Sequence, residues 1–186
     1  MIAHDLETEN LPLQGAFVIR SKEFYDERGV FLKLYDRNIL GSRNVNPLFV
    51  EDYTSISKKG VVRGLHYQLP PYSQAKLVHC TRGMVFDAMI DLRRSSNTFG
   101  KWHSLILSED NRLSVFVPRG FAHGYLSMED SSAVSYRVDN DYAPEYERGI
   151  VWNDPSLGID WPVIDNYVVS EKDLAWPTFE RAEKFE

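Results

Sequence analysis

A single cysteine, Cys80, stands among the 186 residues. One thiol closes no intrachain disulfide and builds no cysteine-based zinc site, so a disulfide-stapled scaffold and a zinc finger are both excluded. In its strand-like run Cys80 reads as a small core residue rather than a nucleophile. No uninterrupted apolar run approaches the roughly 20 residues that span a bilayer. The opening MIAHDLETEN also lacks the basic-then-apolar order of a signal peptide, and a cytoplasmic location is the expectation. Basic charge is not in excess either: 21 Lys and Arg face 27 Asp and Glu, for a formal net charge of -6. A nucleic-acid or membrane-binding surface is therefore not expected, and any bound anion must be met by a local cluster of cations. Internal repeats, low-complexity linkers and composition breaks are missing, so one domain over residues 1–186 is expected.

What is abundant is aromatic: 10 Tyr and 10 Phe favour β structure over a helical bundle. Residues 1–10 read as a polar, acidic arm or lead-in. Residues 15–20 (GAFVIR), 30–36 (VFLKLYD) and 48–57 (LFVEDYTSIS) read as strands, the last with Glu51, Tyr53 and Ser55 on one face. Between them DRNILGSRN predicts a short helix ended by Gly41. In 83–93, Phe86, Ala88, Ile90 and Leu92 face one way and Val85, Asp87, Met89 and Asp91 the other. Residues 103–128 supply two or three more strands, and SEKDLAWPTFE a short terminal helix. Many short strands between Gly, Pro and Asn turns predict a β-sandwich or β-barrel.

The chain is organised around residues 60–83, GVVRGLHYQLPPYSQAKLVHCTRG. Strand alternation puts Arg63 and Leu65 on one face and Gly64 and His66 on the other. A histidine and a lysine (Lys76) near an arginine suit proton transfer on a bound anionic substrate. The rival reading is a hydrogen-bonded strand histidine among surface cations, and this stretch alone leaves both open.

PRGFAHGY (118–125) resembles the second signature of the cupin superfamily. That resemblance implies an all-β cupin double-stranded β-helix (jelly roll) with short peripheral helices. Metal-binding cupins supply two histidines and a carboxylate from the first signature. Here that stretch reads His66-Tyr67-Gln68, without a second histidine two residues on or a glutamate shortly after. Two histidines without the remaining ligands do not make a zinc or iron site, and no metal is expected.

Read together, RGLHYQ, AKLVHCTRG, VFDAMIDLRRSSNTFGKW, PRGFAHGY and WNDPSLGIDWP, with YDERGVF upstream and SEKD downstream, resemble the dTDP-4-dehydrorhamnose 3,5-epimerase family, a metal-free branch of the cupins. The likeness spans about residues 15–173. It implies a cofactor-independent isomerase that inverts C3 and/or C5 of a nucleotide-linked 4-keto-6-deoxyhexose, of the dTDP-4-dehydro-6-deoxyglucose to dTDP-4-dehydrorhamnose type. Such chemistry needs a base, an acid across the ring and a cation for the enolate oxygen. By this resemblance His66 is the base, Asp173 the carboxylate that orients it, Lys76 the cation and Tyr136 the acid. Arg28 and Arg63 match positions that hold diphosphate or sugar. Phe31, Gln68, His123, Glu147 and Lys172 match further substrate contacts. The family is typically a homodimer that shares strands and pocket residues, which is the expectation here; its pathways are deoxysugar routes to cell-surface polysaccharide, O-antigen included, or antibiotics. Taken singly, Tyr136 reads as an ordinary strand tyrosine and Asp173 as a surface acid. His79 and His103 read as structural or surface residues, and Arg93, Arg94 and Lys101 as a solvated loop.

The chain departs from the family pattern at contact positions. Lys33 stands where a glutamate is usual, Glu51-Asp52-Tyr53 replaces Gln-Asp-Asn, and KLVR becomes KLVH at His79. A lysine can donate to the unprotonated ring nitrogen of cytosine, whereas a carboxylate accepts from thymine N–H. Lys33 therefore raises a CDP-linked sugar as an alternative; its rival is a simple Lys33–Glu51 ion pair. Tyr53 in place of a small amide is expected to reshape the sugar pocket, and a C3-only or C5-only mono-epimerase is the corresponding alternative. Two other classes stay in view: a metal-dependent cupin enzyme and a non-catalytic sugar-nucleotide-binding cupin.

Overall fold

In the computed structural model, which describes residues 6–45 and 48–186, the alternating segments become strands that end at glycine, proline or asparagine turns. The first third holds β1 (Leu6–Asn10), β2 (Phe17–Ser21), β3 (Glu23–Asp26), β4 (Gly29–Leu32), helix α1 (Arg37–Ser42) and β5 (Glu51–Ser57). The middle holds β6 (Val61–Gln68), β7 (Lys76–Arg82), β8 (Met84–Asp91), β9 (Trp102–Ser108) and β10 (Leu113–Val117). Then follow β11 (Phe121–Ser127), β12 (Ser132–Val138), β13 (Glu147–Gly149), β14 (Val168–Val169) and α2 (Glu171–Leu174).

Two sheets form, in the orders β1-β2-β10-β7-β12-β5 and β13-β6-β11-β8-β9, with β14 added parallel to β6 and β3-β4 standing apart as a hairpin. Sequence neighbours such as β6 and β7 lie in different sheets, the interleaving expected of a jelly roll. Val18, Val78, Val115 and Val134 of the first sheet meet Val85, Met89, Leu107 and Phe121 of the second in a buried inter-sheet core. Strand β8 behaves as its alternation predicts. Its Phe86, Ala88 and Ile90 face the outer core under the C-terminal segment, while Val85 and Met89 face the other sheet. Cys80 is buried in the inter-sheet core, where burial pushes its thiol up to about 11.

Four local expectations are corrected. Residues 6–10 are not a loose arm: β1 pairs antiparallel with β2 along its length, and Leu6 is buried. The predicted strand over 30–36 stops at Leu32. The helix does not end at Gly41 but runs through Ser42. Asp36 caps its start, Ile39 and Leu40 anchor it, and Asn44 takes the left-handed conformation that terminates it (φ 57°). Arg93 is not a solvated loop residue. It donates to the fully buried Asp91 carboxylate at 2.8 and 2.7 Å, which Ser96 and Thr98 also satisfy.

Candidate active site

Strand β6 gains one extra residue where it crosses β11. Arg63 is registered with Tyr125 and His66 with His123, so Gly64 and Leu65 together oppose Gly124. This bulge breaks the expected two-residue alternation. Leu65 turns fully into the outer core, while Arg63 and His66 both line one cleft of about 560 Å³ between the sheets. The bulge requires glycine: Gly64 has φ +126°, and a Cβ there would stand 2.6 Å from Gly124 Cα and 2.9 Å from the His123 carbonyl oxygen.

His66 Nε2 lies 2.7 Å from Asp173 Oδ1, and the Gly64 N–H donates to Asp173 Oδ2 at 3.2 Å. Asp173 arrives on the short turn α2, whose first residues are held by the Ser170 hydroxyl accepting from Asp173 N–H. Burial alone would raise the Asp173 carboxyl, yet the bonds from His66 and Gly64 outweigh it and hold the group below its ordinary value. An ionised Asp173 fixes the imidazole with its proton on Nε2 and leaves Nδ1 as the basic nitrogen.

Lys76 and Tyr136 come from the facing sheet. The Lys76 ammonium sits 3.5 Å from the His66 carbonyl oxygen, and burial lowers it to about 8 against the opposing pull of Glu147 and Asp87. The Tyr136 hydroxyl lies 3.3 Å from Ser55 Oγ, and burial beside Tyr125 raises its pKa well above that of a free phenol. His123, edge-on to Tyr136, is almost wholly buried and bonds the fully buried Asp87 at 2.8 Å. His66 and His123 are thus cross-strand neighbours, each committed to its own carboxylate. Among the described residues no group of three or more His, Cys, Asp or Glu could hold a metal ion.

A smaller lobe of about 210 Å³ continues the cleft and shares His66, Lys76 and Tyr136 with it. Tyr53, Tyr142 and Glu147 line this lobe. The Glu51 carboxylate accepts from the Tyr53 hydroxyl and, at 3.0 Å, from the Tyr142 N–H. Glu147 accepts from Tyr142 at 2.5 Å and from Lys172 at 2.6 Å. Burial would raise its pKa, but these two donors lower it. Gln68 also lines the lobe, with its amide engaged by Tyr72, Asp141 and Ala143 backbone groups. A wider hollow of about 610 Å³ is lined by Tyr35, Arg37, Glu51, Asp52 and Arg137, and Arg137 pairs with Asp52 there at 3.1 Å.

Arg28, Phe31 and Lys33 stand away from the cleft of their own chain. Arg28 pairs with Asp26 on the β3-β4 hairpin, Phe31 is 68% exposed beside Phe24, and Lys33 lies 3.5 Å from Asp36 rather than against Glu51. His79 is held by the Leu113 carbonyl at 3.0 Å. Three hydroxyl-bearing cleft residues, and a tryptophan behind the cleft, are given no role by the sequence reading. Ser55, Tyr125 and Tyr142 lie on the walls. Trp176 packs flat on Gly149, the strand neighbour of His66, where a Cβ would meet the indole at 2.5 Å. Ser55 carried a signal in its place on one face with Tyr53, and Tyr125 in closing the PRGFAHGY motif.

A family model described as dTDP-4-dehydrorhamnose 3,5-epimerase matches residues 10–181. A dTDP-4-dehydrorhamnose 3,5-epimerase from Methanothermobacter thermautotrophicus is 43% identical over 166 residues, 88% of this chain and 89% of that protein. A solved dTDP-6-deoxy-D-glucose-3,5-epimerase from Legionella pneumophila Philadelphia 1, in complex with dTDP-4-keto-L-rhamnose, matches with a TM-score of 0.91 at 36% identity, covering 95% of this chain and 94% of that one. A 3'-monoepimerase from Streptomyces bikiniensis, in complex with dTDP-quinovose, matches with a TM-score of 0.86 at 28% identity, covering 91% and 86%.

Proposed function

This chain belongs to the dTDP-4-dehydrorhamnose 3,5-epimerase family, and from that premise we propose that it inverts C3 and C5 of dTDP-4-dehydro-6-deoxyglucose with its own side chains. One observation carries the reading: the base pair His66–Asp173 and the acid Tyr136 lie on facing sheets across a single cleft. A sugar held between them loses a proton to one wall and regains one from the other, which is inversion.

His66 Nδ1 takes the proton alpha to the C4 ketone. The electrons move to the C4 oxygen, and the Lys76 ammonium stabilises the enolate in this low-dielectric site. Tyr136 then gives its hydroxyl proton to the opposite face of the same carbon. Arg63 and Lys172 supply positive charge toward the diphosphate and sugar, while His123, Tyr53, Gln68 and Glu147 shape the sugar end. Arg28, Phe31 and Lys33 reach a cleft only if a second copy brings the exposed β3-β4 hairpin to it. We therefore read the active form as a homodimer in the cytoplasm. Tyr53 at the mouth of the smaller lobe, bound to Glu51, favours a second reading in which one carbon alone is inverted.

Proton NMR in deuterated water, with dTDP-4-keto-6-deoxyglucose as substrate, tests this. Deuterium is expected at C3 and C5 with the wild type and at neither with His66→Ala. Label at one carbon selects the mono-epimerase, and no label with this sugar or its CDP analogue overturns the catalytic reading in favour of a binding protein.

A further inference from the structure

Three hydroxyls behind Tyr136 form a continuous chain. The Tyr136 oxygen lies 3.3 Å from Ser55 Oγ, Ser55 Oγ 2.9 Å from the Tyr125 oxygen, and the Tyr125 oxygen 2.8 Å from Ser57 Oγ. At the far end Arg63 Nε donates to Ser57 Oγ at 3.1 Å. Tyr125 and Ser57 are almost wholly buried, whereas Arg63 is exposed. The chain therefore runs from the acid through buried hydroxyls to Arg63, an exposed side chain on the wall of the same cleft.

One polarity serves the acid. A guanidinium N–H only donates, so Ser57 accepts from Arg63 with one lone pair and keeps its own proton available to Tyr125. With that proton turned to Tyr125, Tyr125 donates to Ser55 and Ser55 to Tyr136; the competing Val134 carbonyl is more distant, at 3.5 Å. In this arrangement every hydroxyl proton points toward the Tyr136 oxygen.

We propose that Ser57, Tyr125 and Ser55 relay a proton to Tyr136 while a sugar occupies the cleft. The proposal rests on the epimerase reading. In one inversion the C–H proton passes to His66 and the Tyr136 proton to carbon, leaving an imidazolium and a phenolate. Inverting a second carbon requires both groups to be reset before the sugar leaves. The Ser55 proton moves to Tyr136, the Tyr125 proton to Ser55 and the Ser57 proton to Tyr125. A solvent proton reaches Ser57 along the exposed Arg63 side chain, His66 returns its proton to solvent, and no relay hydroxyl keeps a charge.

Rapid-quench and steady-state inversion of the dTDP-linked 4-keto-6-deoxy sugar test the relay in Tyr125→Phe, which keeps the ring, and in Ser55→Ala. The expected result is a burst of one inversion per site followed by steady turnover about tenfold or more slower. Imidazolium buffer should restore that turnover by delivering protons directly, while leaving the wild type indifferent. Equal slowing of burst and steady phases in both variants, without a response to buffer, would show that the hydroxyls only support the fold and would overturn the relay. Absence of inversion and exchange in the wild type would overturn the epimerase reading and the relay with it, an outcome separate from the variants' behaviour.

Discussion

On the proposed reading Lys76 acts in the cleft as a charge, and its surroundings limit the pH range in which that charge exists. Burial brings it down to about 8, with Glu147 and Asp87 resisting. The catalytic form is the cation, present below that value and lost as pH rises through it. Exchange of substrate protons should therefore hold up to about pH 8 and fall about tenfold per unit above it, measured as initial rates of deuterium uptake. Lys76→Met should cost roughly 10²–10³ in turnover and flatten the alkaline fall. A wild-type profile level to about pH 10 would mean that Lys76 does not hold the enolate oxygen. His66, Lys76, Tyr136 and Asp173 were legible because each sits in a motif of fixed order. The contact of Ser57 with Tyr125 was not, although Tyr125 closes the PRGFAHGY motif, because a hydroxyl in a strand has no partner until pairing decides its neighbours. Ser57 and Tyr125 are 68 positions apart and meet only because β5 and β11 lie on facing sheets.

At the scale of elements, the bulge of β6 decides where His66 points. With regular alternation Arg63 would share a face with Leu65; the doubled residue opposite Gly124 instead sends Arg63 and His66 into the cleft together. Gly64→Ala adds a Cβ against Gly124 Cα at a backbone angle that alanine resists. It should cost about 1–3 kcal/mol and lower the melting temperature by several degrees on the order expected for this size. Proton exchange at C3 and C5 should fall further than the loss of folded protein explains, because His66 moves with the strand. Gly41→Ala is the matched control: it lies inside α1 with open space around its Cβ position, and should stabilise by about 0.5–1 kcal/mol with exchange unchanged. Periodicity located β8 face by face because β8 is regular. It misplaced Leu65 because RGLH reads as ordinary alternation, and the insertion exists only relative to β11. It ended α1 early for a similar reason: glycine often stops helices, but here Asn44 takes the left-handed turn.

At the scale of the whole molecule, the β3-β4 hairpin leaves the two sheets and carries Phe24, Tyr25, Val30 and Phe31 largely exposed, with Arg28 beside them. One chain leaves these residues more than a third exposed, and among the described residues β5 ends its sheet, with Tyr53 and Ile56 exposed. No motif in a single sequence states that part of its site belongs to another copy; the shared pocket enters only through family resemblance. Complementation decides it. His66→Ala lacks the base in its own cleft, and Arg28→Ala lacks the cation that its hairpin would carry to the partner. Each variant alone should be nearly inactive. In a mixed dimer one cleft has both defects, and the other combines an intact His66 with an intact Arg28. Unfolding and refolding the two variants together in equal amounts should therefore restore about one quarter of wild-type activity, since half of the dimers are mixed and each has one whole site. Sedimentation should show a dimer throughout, and Phe31→Asp should shift it toward monomer. If the mixture stays as inactive as its components while still dimeric, Arg28 serves the cleft of its own chain, and the hairpin must move there when substrate binds.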